Sequence, residues 1–142
     1  MSTEENKALL RRTYEAVNQG NLTAFFNLFT PDFVLHNGSM TIQGLEAFKQ
    51  LEAMLLAALP DIHYTVEDLV AEGDKVAVRL TVTGTHRGVF LGISPTGKHT
   101  TVTETAISRI VGGKIAEHWS ETDMLGLLQQ LGVIPPPGQP GE

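Results

Sequence analysis

The sequence predicts an α+β protein in which helices pack against one face of an antiparallel sheet. Apolar residues recur at helical spacing from the N-terminus to Leu59. From Ile62 to about Thr122 the apolar period changes to two, which is typical of β-strands. The length of 142 residues is usual for a single domain. A sheet that curls around a long helix encloses a cavity on its concave side, so we also expect one central pocket.

Three helices are predicted before the strands. Ser2 and Glu5 have the spacing of a capping box, and the helix that they begin should end near Gly20. Asn21 is suited to cap a second, shorter helix. The third helix is expected from about Gly44 to Leu59. Its apolar stripe consists of Leu45, Phe48, Leu51 or Glu52, Leu55 and Leu59.

The strands are predicted to form an antiparallel meander. The strongest strand signal is the alternation of apolar and other residues over 76–82. Gly112 and Gly113 predict a tight hairpin between strands at about 99–111 and 114–122, and a short helix follows. We expect one domain over residues 1–134 and a flexible proline-rich tail over 135–142.

Composition excludes several classes of function. The chain has no cysteine, so disulfides and thiolate zinc sites cannot form. The formal net charge of −6, without a lysine and arginine cluster, disfavours nucleic acid and membrane surfaces as partners. The acidic N-terminus has no features of a secretory signal, and together with the lack of cysteine this favours a cytoplasmic location.

Neither a cofactor nor a metal is predicted. The sequence lacks H-E-x-x-H or a similar paired spacing that would hold a metal ion. It also lacks G-x-G-x-x-G and Walker motifs for nucleotides, and a G-x-S-x-G elbow for nucleophilic catalysis.

Asp123 is a candidate acid–base residue. Simple alternation would place Asp123 on the same strand face as Ile115 and Trp119, unless a bulge intervenes. A carboxyl group on an apolar wall should have a raised pKa and could transfer protons near pH 7. The alternative is an N-cap for the last helix, and spacing alone favours the cap.

Six further residues are candidates for the pocket. His36 closes a short apolar run and His86 ends a predicted strand, so either could orient a substrate oxygen. A rim position is the alternative for both. Tyr14 and Trp119 are candidates for the lining because aromatic rings suit planar ligands. Glu104 is a candidate acid at an inward or rim position, and Leu80 is an inward strand residue. For the aromatic residues a place in the core is the alternative.

Several motifs together resemble the SnoaL-like polyketide cyclases, also called ester cyclases, of the nuclear-transport-factor-two-like superfamily. They keep their order over nearly the whole chain. They are Phe33-Val34-Leu35-His36, Pro60-Asp61-Ile62-His63-Tyr64, Gly84-Thr85-His86, Gly113-Lys114-Ile115-Ala116-Glu117-His118-Trp119, Asp123, and Leu127-Leu128-Gln129-Gln130-Leu131-Gly132.

The resemblance implies a cone-shaped, cystatin-like α+β barrel that forms a homodimer through its outer sheet face. It also implies an intramolecular aldol cyclisation of a small, hydrophobic, oxygenated substrate without cofactor or metal. In that family an aspartate near the end of the last strand transfers the protons, so the resemblance makes Asp123 catalytic and places His36 and His86 at the pocket. Because a fold does not fix a function, a non-catalytic binding module, an isomerase and an epoxide hydrolase are the alternatives.

Overall fold

The computed structural model describes residues 2–136 and 138. Within this part, the chain forms four helices and six strands. In order they are α1 (Thr3–Asn18), α2 (Leu22–Phe26), β1 (Phe29–Asn37), β2 (Met40–Gln43), α3 (Leu45–Ala58), β3 (His63–Glu72), β4 (Lys75–Thr85), β5 (His99–Val111), β6 (Lys114–Thr122) and α4 (Met124–Gln130).

The strands form one curved sheet in the order β2-β1-β6-β5-β4-β3. The consecutive strands β3 to β6 make the predicted antiparallel meander. β1 pairs with β6 in parallel, and β2, which the sequence analysis did not predict, pairs with β1 at the edge. The sheet does not close, because β2 and β3 are both edge strands. The predicted α+β fold, with a curved sheet and N-terminal helices, is confirmed.

Local sequence signals explain where the helices begin. The Ser2 hydroxyl accepts from the Glu5 amide and the Glu5 carboxylate accepts from the Ser2 amide, both at 3.1 Å, so the predicted capping box is present. Asn21 caps α2 by accepting from the Ala24 amide at 3.2 Å. Gly44 precedes α3 with a φ of 91°, a conformation that glycine adopts without strain.

Apolar faces of α1, α3 and the sheet meet in one core. Four phenylalanine rings pack edge to face or tilted, with centroids 4.8 to 6.0 Å apart: Phe25, Phe29, Phe33 and Phe48. Val76, Val78 and Leu80 of β4 are at most 2% exposed and fill the space under α1. This core supports the inner face of the sheet, where the site lies.

A bulge in β6 changes which residues face inward. Arg109 pairs with Glu117, but the next residue, Ile110, pairs with Ile115, so β6 contains one extra residue at Ala116. Beyond the bulge the inward side chains are His118, Ser120 and Thr122. The prediction that Ile115, Trp119 and Asp123 share one face is therefore wrong, because the extra residue reverses the alternation.

Residues near the C-terminus are described only in part. Of the predicted flexible tail, 135–142, the structure describes Pro135, Pro136 and Gly138, and the other positions lie outside the described residues. The domain boundary at 134 stays a prediction. None of the four helices in the described part combines the length and apolar character needed to cross a membrane.

Candidate functional site

A cavity of about 420 Å³ lies between α1, α3 and the concave face of the sheet. Its wall is mostly apolar, and within the described residues no lysine or arginine lines it. The lining residues that have polar side chains are Thr13, Tyr14, Asn37, Glu52, Tyr64, Thr83, Thr100, Glu104, His118, Ser120 and Thr122. The cavity can therefore take an apolar molecule that carries several oxygen atoms.

Two carboxyl groups face the cavity from different elements. Glu52 lies on α3, within the apolar stripe that turns toward the sheet. Glu104 lies on the inward face of β5, and the Thr122 hydroxyl of the neighbouring strand donates to its Oε1 at 3.0 Å. The sequence analysis named Glu104 as a pocket candidate, and it left Glu52 as an alternative to Leu51 on the stripe.

Burial shifts both carboxyl groups toward the neutral form. It raises the pKa of Glu52 to about 7, and the negative charge of Glu104 adds to this rise. Burial also raises the pKa of Glu104, but the hydrogen bond from Thr122 opposes that rise. Glu104 therefore loses its proton first, and Glu52 keeps its proton up to about neutral pH.

Two tyrosines lie in the same cavity. The ring centroids of Tyr14 and Tyr64 are 5.6 Å apart. Burial, together with the charges of Glu104 and Glu52, raises the pKa of both phenols, so both stay neutral and can donate hydrogen bonds. Tyr14 was a pocket candidate from the sequence, whereas Tyr64 was named there only as part of a motif that resembles the family.

His118 is a further polar group of the cavity wall. Its Nδ1 lies 2.7 Å from the hydroxyl oxygen of Ser108 on β5. Burial lowers the pKa of His118 to about 4, so the imidazole is neutral at physiological pH. The sequence analysis did not select His118, because the bulge that turns it inward has no local signal.

Asp123 lies outside the cavity lining and is exposed. Its Oδ1 accepts from the Gly126 amide at 2.9 Å, at the N-cap of α4. The N-cap interpretation is therefore confirmed. Asp123 follows the strand residue Thr122, which does face the cavity, so the reversed alternation accounts for its position. Its catalytic role stays a prediction that this position does not support.

His36 and Trp119 lie together on the outer face of the sheet. Their rings stack at an interplanar angle of 11° with centroids 5.4 Å apart. The Nε2 of His36 lies 2.7 Å from Oε2 of Glu117, and the other carboxylate oxygen, Oε1, accepts from Arg109 at 3.2 Å. Neither ring is among the cavity-lining residues, so the structure does not bring these two candidates to the site.

His86 and Leu80 are fully buried but do not line the cavity. The Nδ1 of His86 accepts from the Thr96 amide at 3.2 Å, which ties the end of β4 to the loop before β5. Leu80 is part of the core beside Val78. Their predicted roles at the pocket stay predictions, and their observed contacts are structural.

The mouth of the cavity has an apolar rim. Its exposed side chains come from β2, from α3 and from the loop between β4 and β5: Met40, Met54, Val89 and Leu91. The amides of Arg87 and Gly88 both donate to the Ala58 carbonyl and hold this loop on α3. A side chain at Gly88 would collide with the backbone of Ala57, so this contact requires glycine.

No metal centre is visible in the part of the chain that the structure describes. No three histidine, aspartate or glutamate side chains there are grouped so as to hold a metal ion. The expected lack of a metal or cofactor stays a prediction.

The raised pKa of Glu52 has a consequence for stability. In the unfolded chain this carboxyl ionises near its ordinary pKa of 4.5, whereas the folded protein holds the proton up to about pH 7. The free energy of unfolding should therefore fall as pH rises between these values. We expect Glu52→Gln to raise the thermal midpoint at pH 8 but not at pH 4.5. Glu46→Gln, an exposed position on α3, is the matched control. An equal change of the thermal midpoint at both pH values would contradict the raised pKa of Glu52.

Comparison with known proteins places these features in a family. The sequence profile of the SnoaL-like polyketide cyclases matches residues 7–131. The chain is 32% identical to the aklanonic acid methyl ester cyclase DnrD of Streptomyces peucetius, over 93% of this chain and 92% of DnrD. It is 31% identical to the nogalonic acid methyl ester cyclase of Streptomyces nogalater, over 82% of this chain and 90% of that protein.

Solved structures agree with the sequence comparison. AclR, a proposed hydroxylase from Streptomyces galilaeus, superposes with a TM-score of 0.85 and 36% identity, covering 95% of this chain and 85% of AclR. IdmH, a proposed polyketide cyclase from Streptomyces antibioticus, superposes with a TM-score of 0.79 and 35% identity, covering 90% of this chain and 99% of IdmH. The chain belongs to the SnoaL-like polyketide cyclase family.

Proposed function

We propose that this protein closes a ring in a hydrophobic, oxygenated small molecule by acid–base chemistry that needs no cofactor. One observation carries the proposal: two carboxyl groups with separated proton affinities, Glu52 and Glu104, face the same apolar cavity. Pairs of titratable groups whose surroundings separate their pKa values are typical of sites that need an acid and a base together.

The cavity and the relatives support the proposed class of substrate. The phenylalanine cluster and two tyrosines offer aromatic surfaces for a planar molecule, and the scattered hydroxyl groups offer partners for its oxygen atoms. The absence of a lysine or arginine from the described lining favours a neutral substrate over a carboxylate. The relatives DnrD and the nogalonic acid protein are cyclases of methyl esters, which are neutral at that position.

The proposed reaction is an intramolecular aldol addition. A base removes a proton from a carbon next to a carbonyl group, and the enolate carbon attacks a second carbonyl of the same molecule. One carbon–carbon bond forms, and the attacked oxygen takes a proton from an acid. The product has the same atoms as the substrate, so no oxidant or reductant is required.

The different pKa shifts support a division of roles between the two glutamates. Glu104 ionises first and is the base, whereas Glu52 keeps its proton to about pH 7 and is the acid. After one turnover Glu104 carries the proton and Glu52 is charged, so a proton must pass from Glu104 to Glu52 to reset the site. Enclosure of the substrate in a folded conformation supplies a further part of the rate.

The test uses the purified protein and aklanonic acid methyl ester, with EDTA present and no cofactor added. We expect a product of unchanged mass and altered retention time, formed faster than in buffer alone. Binding without conversion would contradict the proposal and favour a binding module. A gain of one oxygen atom would also contradict it and favour a reaction of the type proposed for AclR.

The expected homodimer is kept as a proposal. An apolar row crosses the outer face through directly paired residues of four adjacent strands: Val70, Ala77, Ile107 and Trp119. Val70 is 66% exposed and Ile107 is 41% exposed, so this row could be covered by a second copy. A monomer in sedimentation at micromolar concentration would contradict the proposal. The cytoplasmic location also stays a prediction.

A further inference from the structure

His118 and Ser108 form a pair at the wall of the cavity that the proton transfers described above do not use. They are directly opposite each other on β6 and β5, and the Ser108 hydroxyl oxygen lies 2.7 Å from Nδ1 of His118. Ser108 is 0% exposed, so water cannot replace this contact. The two side chains are therefore held as a unit by neighbouring strands.

The hydroxyl of Ser108 decides which ring nitrogen carries the hydrogen. Among the described residues, the Ser108 side chain has His118 as its hydrogen-bond partner and no other. If Nδ1 carried the hydrogen, Ser108 would have to accept, and its own buried O–H would have no acceptor. If Ser108 donates to Nδ1, its own buried O–H is satisfied, and the hydrogen of the neutral imidazole is on Nε2.

The Nε2–H group is open to the cavity. His118 is one of the cavity-lining residues, and within the described chain Nε2 has no hydrogen-bond partner. The His118 residue is half-buried rather than fully enclosed. The arrangement therefore presents one fixed hydrogen-bond donor to whatever occupies the cavity.

We propose that His118 donates this hydrogen bond to the carbonyl oxygen that becomes the enolate oxygen of the substrate, and that Ser108 is the positioning residue that fixes its tautomer. The inference rests on the proposed function. A proton leaves the adjacent carbon, the electron pair moves onto the carbonyl oxygen, and the imidazole keeps its own proton throughout. Fixed donors directed at a developing negative charge lower the barrier because they need no reorganisation.

Neutrality suits His118 to this role. A charged imidazolium would transfer its proton to the enolate oxygen and would raise the cost of keeping the group buried. Burial keeps the pKa of His118 near 4, so the donor is unchanged over the pH range in which Glu104 and Glu52 exchange protons. Of the other candidate histidines, His36 lies on the outer face and His86 is not in the lining.

The tautomer can be tested without any substrate. Nitrogen-15 NMR of the labelled protein distinguishes protonated from unprotonated ring nitrogens. We expect Nε2 of His118 to be protonated and Nδ1 to be unprotonated from pH 5.5 to 8, and Ser108→Ala to show both tautomers. A hydrogen on Nδ1, or an imidazolium at pH 6, would overturn the proposal. This readout stands even if the protein fails to convert aklanonic acid methyl ester, so the two proposals fail separately.

Kinetics tests the role of the donor. We expect His118→Ala to lower kcat about 10²–10³-fold with a small change in KM, because the bond strengthens as charge develops. His118→Gln, whose amide reaches toward the Nε2 position, should recover part of this loss, and His118→Asn should recover less. His63→Gln, at an exposed position on β3, is the matched control. Full kcat in His118→Ala, or equal rates in the Gln and Asn variants, would overturn the proposal.

The positioning role needs its own comparison. Ser108→Ala should lower kcat, and Ser108→Thr, which keeps the hydroxyl, should restore both kcat and the Nε2–H tautomer. Thr105→Ala, an exposed position on the same strand, controls for the loss of a hydroxyl group. If Ser108→Ala keeps full kcat or leaves the tautomer unchanged, Ser108 does not position the ring.

Discussion

Replacement of Glu104 by glutamine is expected to lower kcat by about 10²–10⁴-fold, the usual contribution of a positioned general base. Glutamine keeps the size of the side chain and can still accept from Thr122, which donates to Oε1 at 3.0 Å. It cannot accept the substrate proton. The free energy of unfolding should change little or rise, because the variant no longer buries a carboxylate. Steady-state kinetics measures the change in kcat, and urea denaturation of the same samples measures the free energy of unfolding.

Two further variants complete this test. Glu121→Gln, an exposed position on the adjacent strand, should keep full turnover. Asp123→Asn separates the two assignments of the base, because the family resemblance favours Asp123 whereas the cavity contains Glu104. If Glu104→Gln remained fully active and Asp123→Asn did not, the roles proposed for the glutamates would be wrong and the helix cap would have to move during turnover.

Replacement of Phe33 by alanine is expected to reduce the free energy of unfolding by about 3–5 kcal/mol, the usual cost of removing a buried phenylalanine ring. Phe33 is 1% exposed, and its ring centroid lies 4.8 Å from the rings of both Phe29 and Phe48. Because single domains are stable by only about 5–15 kcal/mol, this loss is a large part of the total. Urea denaturation measures this loss, provided that the free energy of unfolding falls with urea concentration at the same slope in both proteins.

The same aromatic cluster offers a matched control. Phe26 is half-buried and touches the cluster from its edge, with its ring 5.1 Å from Phe25. Phe26→Ala should therefore cost distinctly less than Phe33→Ala. If the two variants lost equal stability, or if Phe33→Ala cost less than about 1 kcal/mol, the ring of Phe33 would not be packed as described.

The overall fold could be predicted because several levels of the sequence agree. The capping box at Ser2, the change of period at Ile62 and the hairpin glycines at Gly112 and Gly113 each mark an element that the structure contains. The short strand β2 was missed because Met40–Gln43 is only four residues long. The parallel pairing of β1 with β6 was missed because no local signal reports which distant strand is a neighbour.

The site was harder to predict than the fold. Glu52 did leave a signal, because it occupies a position of the apolar stripe of α3 where an acid is unexpected. Trp119 was predicted to face inward, but in the structure His118 faces inward instead, because of the bulge at Ala116. That bulge depends on the register of β6 with β5, which no local signal reports. Trp119 was also misleading as a marker of the inner face, because this large apolar ring stacks on His36 on the outer face.

The pairing of β1 with β6 has a consequence for how the chain folds. β1 ends at Asn37, but its partner β6 begins at Lys114, so the strand that supplies Phe29, Phe33 and Leu35 can pair with β6 only after all the elements between them have been made. Contacts between residues far apart in sequence slow folding, because the loop between them must close first. On the ribosome, β3, β4 and β5 can pair as they emerge, but β1 can join the sheet only after β6 has emerged. The wall of the cavity is thus complete only when β6 is in place, because β6 supplies His118, Ser120 and Thr122 to it.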